Sequence, residues 1–269
     1  MTTPLPRAGA RRRDEHAPSA YAEAMRAPKK RSSPVLVYPE TDDMGEHELQ
    51  RLIAELLRPL LERFLAERGI VAHAGADQFV YWAEGEPTKR IAPDLYVLPG
   101  VRQDVVIRSW KTWQTGIVPS FVLEIAGDDY AKDYEDNPVL YGDLGVEELV
   151  IFDPHARPGS RSSRVRWQVY RRIRRRGLVR VEVSQSDRVR SKHLGVWLRA
   201  VGTGDDVRVR IALGPQGDEL YPTEAEAECA AKEQERAQRL RAEAEVERLR
   251  ALLAAKTGRR SRSRAKRSR

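Results

Sequence analysis

Two stretches, Ile91-Ala92-Pro93-Asp94-Leu95-Tyr96-Val97 and Phe121-Val122-Leu123-Glu124-Ile125, decide how the rest of the chain is read. Each is a short apolar run of the kind that forms a buried strand, and each carries one carboxylate. An unpaired charge in a strand core is costly and is ordinarily neutralised by a partner or a metal. Brought together on adjacent strands, Asp94 and Glu124 would make a hard, oxygen-lined site suited to Mg²⁺. That is the working end of many metal-dependent phosphodiesterases. Two plainer readings stand beside it: Pro-Asp is also a turn signal, and a buried arginine can satisfy a strand glutamate.

Working outward, the segment Glu46 to Arg68 places Leu49, Leu52, Ile53, Leu56, Leu57, Leu60, Leu61, Phe64 and Leu65 at helical spacing. It predicts an amphipathic helix that Pro59 kinks or splits in two. Gln78–Trp82 reads as a strand, and Trp110 and Trp113 as hydrophobic covers over the sheet edge. A helix over Pro138–Leu144 then leads to a strand over Glu148–Asp153, where Asp153-Pro154 marks a turn and Asp153 is a structural cap. Val165–Tyr170 and Val179–Val183 alternate as an exposed antiparallel hairpin should. Its tip, Arg171-Arg172-Ile173-Arg174-Arg175-Arg176, could grip phosphates beside the cleft, or simply be a solvated turn whose charges deter edge pairing. Strands around Gly195–Arg199 and Val207–Ile211 are expected to complete the sheet. From Thr223 to Ala255 the chain is rich in Ala, Glu and Arg, and Thr223 with Glu226 is a capping-box signature. A long helix follows, with a coiled-coil homodimer left open because the heptad is broken.

The 269 residues allow one good core plus extensions. No run of eighteen apolar residues predicts a membrane span, and the basic start lacks the apolar core of a secretory signal. A single cysteine, Cys229, excludes an internal disulfide and a Cys-based zinc cluster, and the five histidines lack ligand spacing. These features predict a cytoplasmic protein. The formal net charge of +8 is carried by two ends: residues 1–33 hold eight bases and three acids, and Lys256–Arg269 holds eight bases and no acid. The intervening part is therefore net acidic. The reading by segments is a disordered basic arm over 1–33, a folded domain over 34–222, a charged helix over 223–255 and a disordered basic tail over 256–269. Arg-Ser repeats in the tail can neutralise phosphates without reading sequence. No phosphate-binding Gly-rich motif occurs, so a nucleotide cofactor has no support.

The Pro-Asp strand, Phe-Val-Leu-Glu-Ile, and Leu140-Tyr141-Gly142-Asp143-Leu144-Gly145-Val146-Glu147-Glu148-Leu149-Val150-Ile151-Phe152-Asp153-Pro154 together resemble the Uma2 family of restriction endonucleases, within the PD-(D/E)xK nuclease superfamily. The resemblance spans about Met44 to Glu224. It implies an α/β fold with a restriction-endonuclease-like core, a mixed central sheet flanked by helices, and a DNA endonuclease using Mg²⁺ or Mn²⁺. Asp94 and Glu124 would then hold the metal, with the Ile125 carbonyl as a further ligand. Glu46 on the first helix is a candidate acid, although a glutamate there also complements the helix dipole. The superfamily's usual Lys position, two residues after the second acid, is Ala126, and the Uma2 alternative aligns with Asn137. An amide cannot supply an ammonium's charge to the developing phosphorane. Lys132 could swing in instead, or the protein could be a non-catalytic nucleic-acid-binding or assembly module.

Overall fold

The computed structural model describes residues 48–157, 159 and 163–267, with side chains through Leu253. The arm over 1–33 and Glu46 lie outside the described residues. Helix α1 (Glu48–Glu67) buries Leu49, Ile53, Leu57, Leu60, Leu61, Phe64 and Leu65 along one stripe. Pro59 does not split it, contrary to one sequence expectation. The proline is exposed, so the carbonyl one turn earlier, deprived of its amide donor, can bond to water.

The following elements are β1 (Ala72–Gly75), β2 (Phe79–Tyr81), β3 (Arg90–Ile91), β4 (Leu95–Pro99), β5 (Ser109–Lys111) and the single turn α2 (Thr112–Thr115). After β6 (Phe121–Ile125), a π-helical turn over Lys132–Asp136 runs directly into α3 (Asn137–Leu144), which leads to β7 (Glu148–Phe152). Then come β8 (Trp167–Ile173), β9 (Gly177–Ser184), β10 (Arg188–Ser191), β11 (Val196–Val201), β12 (Arg208–Leu213), β13 (Glu219–Leu220) and α4 (Glu224–Arg267).

The central sheet has six strands in the order β1-β4-β6-β7-β8-β9. Only β6 and β7 are parallel, joined by the crossover through α3, while the other neighbours are antiparallel. Strands β4, β6 and β7 are apolar on both faces because both faces are covered. Leu95, Val97, Phe121, Leu123, Val150 and Phe152 pack with α1 and with Val196, Leu198, Val209 and Ile211. Tyr96, Leu98, Val122, Leu149 and Ile151 pack with Tyr141 and Leu144 of α3 and with Val80 and Trp110.

Trp110 is thus a cover, as expected, but within a separate three-stranded sheet, β3-β2-β5. Strands β11 and β12 do not complete the central sheet. They belong to a four-stranded antiparallel sheet, β10-β11-β12-β13, layered against α1. The apolar residues of β11 that join this core, Val196 and Leu198, lie two apart, which suits a sheet with one buried face.

One buried acid ties the two sheets together. Glu148, 1% exposed at the start of β7, accepts from Arg171 Nε (2.7 Å), from the Ser191 hydroxyl, and from the amides of Lys192 and His193. At the far end, the capping box of α4 forms as expected: Glu226 N donates to Thr223 Oγ1 (3.2 Å) and Thr223 N to Glu226 Oε2 (2.7 Å). Arg210 anchors the same glutamate to β12 (2.7 Å). Helix α4 continues past Ala255, the boundary expected for a basic tail, to Arg267. Among the described residues no helix is long and apolar enough to cross a membrane.

Candidate active site

The register of the central sheet creates the site. Antiparallel pairing sets Leu95 opposite Leu123 and Tyr96 opposite Val122, and one further step sets Asp94 opposite Glu124. Side chains alternate along a strand, so Glu124 shares the face of Val122, and Asp94 that of Tyr96. Both acids therefore face α3. The Ile125 amide donates to Asp94 Oδ2 (2.6 Å), which closes the strand ends together.

Glu124 is 5% exposed. Its Oε1 accepts from the Tyr141 hydroxyl, and its Oε2 accepts a long bond from Asn137 Nδ2 (3.4 Å). Burial, and secondarily the facing Asp94 charge, push the Glu124 carboxyl well above the usual carboxylate range. Burial, followed by the charge of Glu124, likewise raises the Tyr141 phenol and keeps it a hydrogen-bond donor. Asn137 Nδ2 also donates to Asp133 Oδ1 (3.1 Å), whose other oxygen accepts from Gly127 N (3.2 Å). Asn137 Oδ1 is buried without a hydrogen-bond partner.

Lys132 is exposed on the π-helical turn and acts electrostatically on both Glu124 and Asp133. Such turns are frequent at functional sites. The Ile125 carbonyl, expected as a ligand, accepts from Gln50 Nε2 of α1 (2.5 Å). A carbonyl oxygen keeps a second lone pair for another partner.

The donor chemistry fits a hard divalent cation: two facing carboxylates, a backbone carbonyl and an unpartnered amide oxygen. Among the described residues no group of three or more His, Cys, Asp or Glu could hold a metal by itself.

A second polar network braces the loop behind the pair. Asp153, 0% exposed at the end of β7, is gripped by Arg164 Nη1 at both oxygens (3.1 Å each), by the Tyr134 hydroxyl and by His155 N. Arg164 Nη2 reaches the carbonyls of Gly127 and Asp128 (2.9 Å each), and its guanidinium lies over the Tyr130 ring. Asp153 is thus structural, as its place beside Pro154 suggests.

The hairpin arginines lie elsewhere than expected. Glu124 pairs with Ile151 and Ile151 with Gln168, so β8 leaves the site level at Gln168 and ends at Ile173, about 17 Å further along. The tip is at the opposite end of the sheet from the acids, not beside the cleft. Arg171 is held by Glu148 and the Arg190 carbonyl, and Arg172 by the carbonyls of Val146 and Gly142. Arg174, Arg175 and Arg176 are exposed.

Four residues of the site, Gln50, Tyr141, Asp133 and Arg164, do not announce themselves in the sequence. Tyr141 belongs to the Leu-Tyr pair that follows the second acid, and its spacing to Glu124 is the one available signal.

A mixed sheet with two acids facing each other at the ends of its central strands, beneath a crossover helix, defines a restriction-endonuclease-like fold. The chain belongs to the Uma2 family: residues 39–201 match that family's model, described as "Putative restriction endonuclease". It is also similar to the protein in "Crystal structure of a putative nuclease belonging to DUF820 from Anabaena variabilis ATCC 29413". The identity is 13% and the TM-score 0.37, covering 56% of this chain and 76% of that one. No curated protein matches the chain.

Proposed function

We propose that this protein is a Mg²⁺-dependent endonuclease that hydrolyses DNA phosphodiester bonds, with Mn²⁺ as an alternative metal. The observation that carries the reading is Glu124, an acid 5% exposed and set opposite Asp94. Two carboxylates so placed repel each other unless a proton or a cation intervenes. Asp94, Glu124 and the Ile125 carbonyl would hold the metal. When bound, Mg²⁺ supplies polarisation of a phosphoryl oxygen and acidifies the attacking water.

The chain's own groups do the rest. The Tyr141 hydroxyl fixes the orientation of Glu124, and Gln50 holds the Ile125 carbonyl in place. Lys132, on a flexible four-carbon stem, brings positive charge toward the reacting phosphate. Asn137 bridges Glu124 and Asp133 through its amide and adds no charge.

The test is plasmid nicking with Mg²⁺ or Mn²⁺ by the wild type and by Asp94→Ala, Glu124→Ala, Lys132→Ala and Asn137→Lys, alongside calorimetric metal titration. Loss of both nicking and metal binding in either acid variant supports the reading. Nicking that survives both acid substitutions refutes it.

A second reading follows from Asn137, which carries no charge at the position where the family resemblance expects an ammonium: a non-catalytic nucleic-acid-binding or assembly module. Nicking absent in the wild type and gained in Asn137→Lys would favour it. Helix α4 leaves Leu240, Val246, Leu249 and Leu253 exposed, and a homodimer through that helix is read by sedimentation of the chain with and without residues after Pro222.

A further inference from the structure

Gly127, just beyond the end of β6, is held from several directions. Its amide donates to Asp133 Oδ2 (3.2 Å), and its carbonyl accepts from Arg164 Nη2 (2.9 Å). A Cβ built on it would lie 3.3 Å from Gln50 Nε2, the nitrogen that donates to the Ile125 carbonyl. Gln50 and Asp133 each reach the carboxylate strand, the first through Ile125 and the second through Asn137. Arg164 enters from another part of the chain. Parallel pairing sets Phe152 beside Ile125, so β6 and β7 leave the sheet at the same end and their connections run side by side. Arg164 lies in the connection after β7 and bonds to the one after β6.

Its guanidinium divides its donors. Nη1 serves both oxygens of Asp153 (3.1 Å each), and Nη2 serves the carbonyls of Gly127 and Asp128 (2.9 Å each). One half is an ion pair with an acid 0% exposed, and the other half is a clamp on the backbone that follows Glu124. Only the planar fork of arginine does both at once. An ammonium is a compact point charge, which can neutralise Asp153 but lacks the fixed geometry that spans two further carbonyls. From Gly127 the restraint passes inward. Asp133, fixed by the Gly127 amide, accepts from Asn137 Nδ2 (3.1 Å), and the same nitrogen reaches Glu124 Oε2 (3.4 Å).

We infer that Arg164 is a positioning residue of the carboxylate site: by clamping Gly127 and Asp128 it sets the loop that orients Glu124, and through that loop it governs metal affinity. The metal rests on the nuclease reading above, whereas the clamp rests on the hydrogen bonds. Outer partners of this kind hold metal ligands in place, and losing one typically lowers metal affinity about 10–100-fold.

Calorimetric titration with Mn²⁺ and hydrogen exchange of the full-length chain test this in the wild type, Arg164→Lys, Asp133→Ala and Arg171→Met, with circular dichroism to show that each is folded. Arg164→Lys keeps a cation on Asp153 but loses the fork. It should bind Mn²⁺ about tenfold or more weakly, with faster exchange over residues 127–137 and unchanged exchange in β7 and β8. Asp133→Ala cuts the next link while Arg164 stays intact, and should reproduce the loss of affinity even if Arg164→Lys does not fold. Arg171→Met removes the cation on Glu148 at the opposite end of β7, so it weakens the fold without reaching the loop and should keep wild-type Mn²⁺ affinity. Wild-type affinity in Arg164→Lys or Asp133→Ala, or wild-type exchange over 127–137 in Arg164→Lys, overturns the positioning role and leaves the metal reading standing. An equal loss of affinity in Arg171→Met overturns that role as well. A wild type that takes up no Mn²⁺, or whose Mn²⁺ affinity survives Glu124→Ala, refutes the metal reading and the positioning role with it.

Discussion

Arg171→Met removes a cation from a buried acid, and the size of the effect can be worked out from the contacts. Glu148 is 1% exposed and keeps three donors after the substitution: the Ser191 hydroxyl and the amides of Lys192 and His193. Breaking a buried pair from one side typically costs about 3–5 kcal/mol. The remaining donors and the 19% exposure of the Arg171 side chain point to the lower end, about 3 kcal/mol. For a domain of this size, that lowers Tm by roughly 6–12 °C. Thermal and urea unfolding followed by circular dichroism provide the assay. Adding Glu148→Gln to Arg171→Met removes the stranded charge and should recover at least half of the loss, because the cost lies mostly in the unpaired carboxylate. A Tm for Arg171→Met within about 2 °C of wild type, or a double variant no more stable than the single, refutes the account of Glu148 as the pin between the sheets.

Glu124→Gln removes one of two facing carboxylates from the interior, so the metal-free protein should gain about 1–3 kcal/mol in urea titrations while losing any upward Tm shift with Mg²⁺. Arg164→Met strands Asp153, which is 0% exposed, and should cost about 3 kcal/mol, read by the same unfolding curves. Gly75→Ala places a Cβ 2.3 Å from the Tyr96 ring; overpacking of this kind should cost about 1–3 kcal/mol, measured as a shift in urea midpoint. Glu226, held by Arg210 and the Thr223 amide, has its carboxyl lowered to about 2. A depressed acid stabilises above its unfolded pKa of 4.5 and loses that contribution as pH falls toward 2. Hydrogen exchange at the first turn of α4 should therefore accelerate across that window in wild type and be insensitive to it in Glu226→Gln.

The carboxylate strands are legible because β4 and β6 carry short apolar runs between turn formers, and α1 because its leucines repeat at helical spacing. Sequence separation hides which sheet a strand joins: β11 and β12 read as strands correctly, but only packing against α1 assigns them to a second sheet. The hairpin shows a different limit. Six residues of nearly uniform cationic character give no hint that Arg171 and Arg172 bond inward while Arg174, Arg175 and Arg176 do not, since that depends on Glu148 and on carbonyls of the approach to β7. Gln50 is invisible for a similar reason. A glutamine on an amphipathic helix carries no signal until the helix is docked and its side chain meets the Ile125 carbonyl.

The opposition of Asp94 and Glu124 depends on one register, and this dictates where the chain can change length. Inserting or deleting a single residue within β4 or β6 turns every later side chain to the other face, separating the acids even if the strands still pair. The connection over residues 100–120 carries β5 and α2 but sets no register between the two strands, so it can lengthen or shorten without moving either acid. Variation among natural relatives, and grafted segments in an engineered one, should therefore accumulate in that connection and be purged from the two strands.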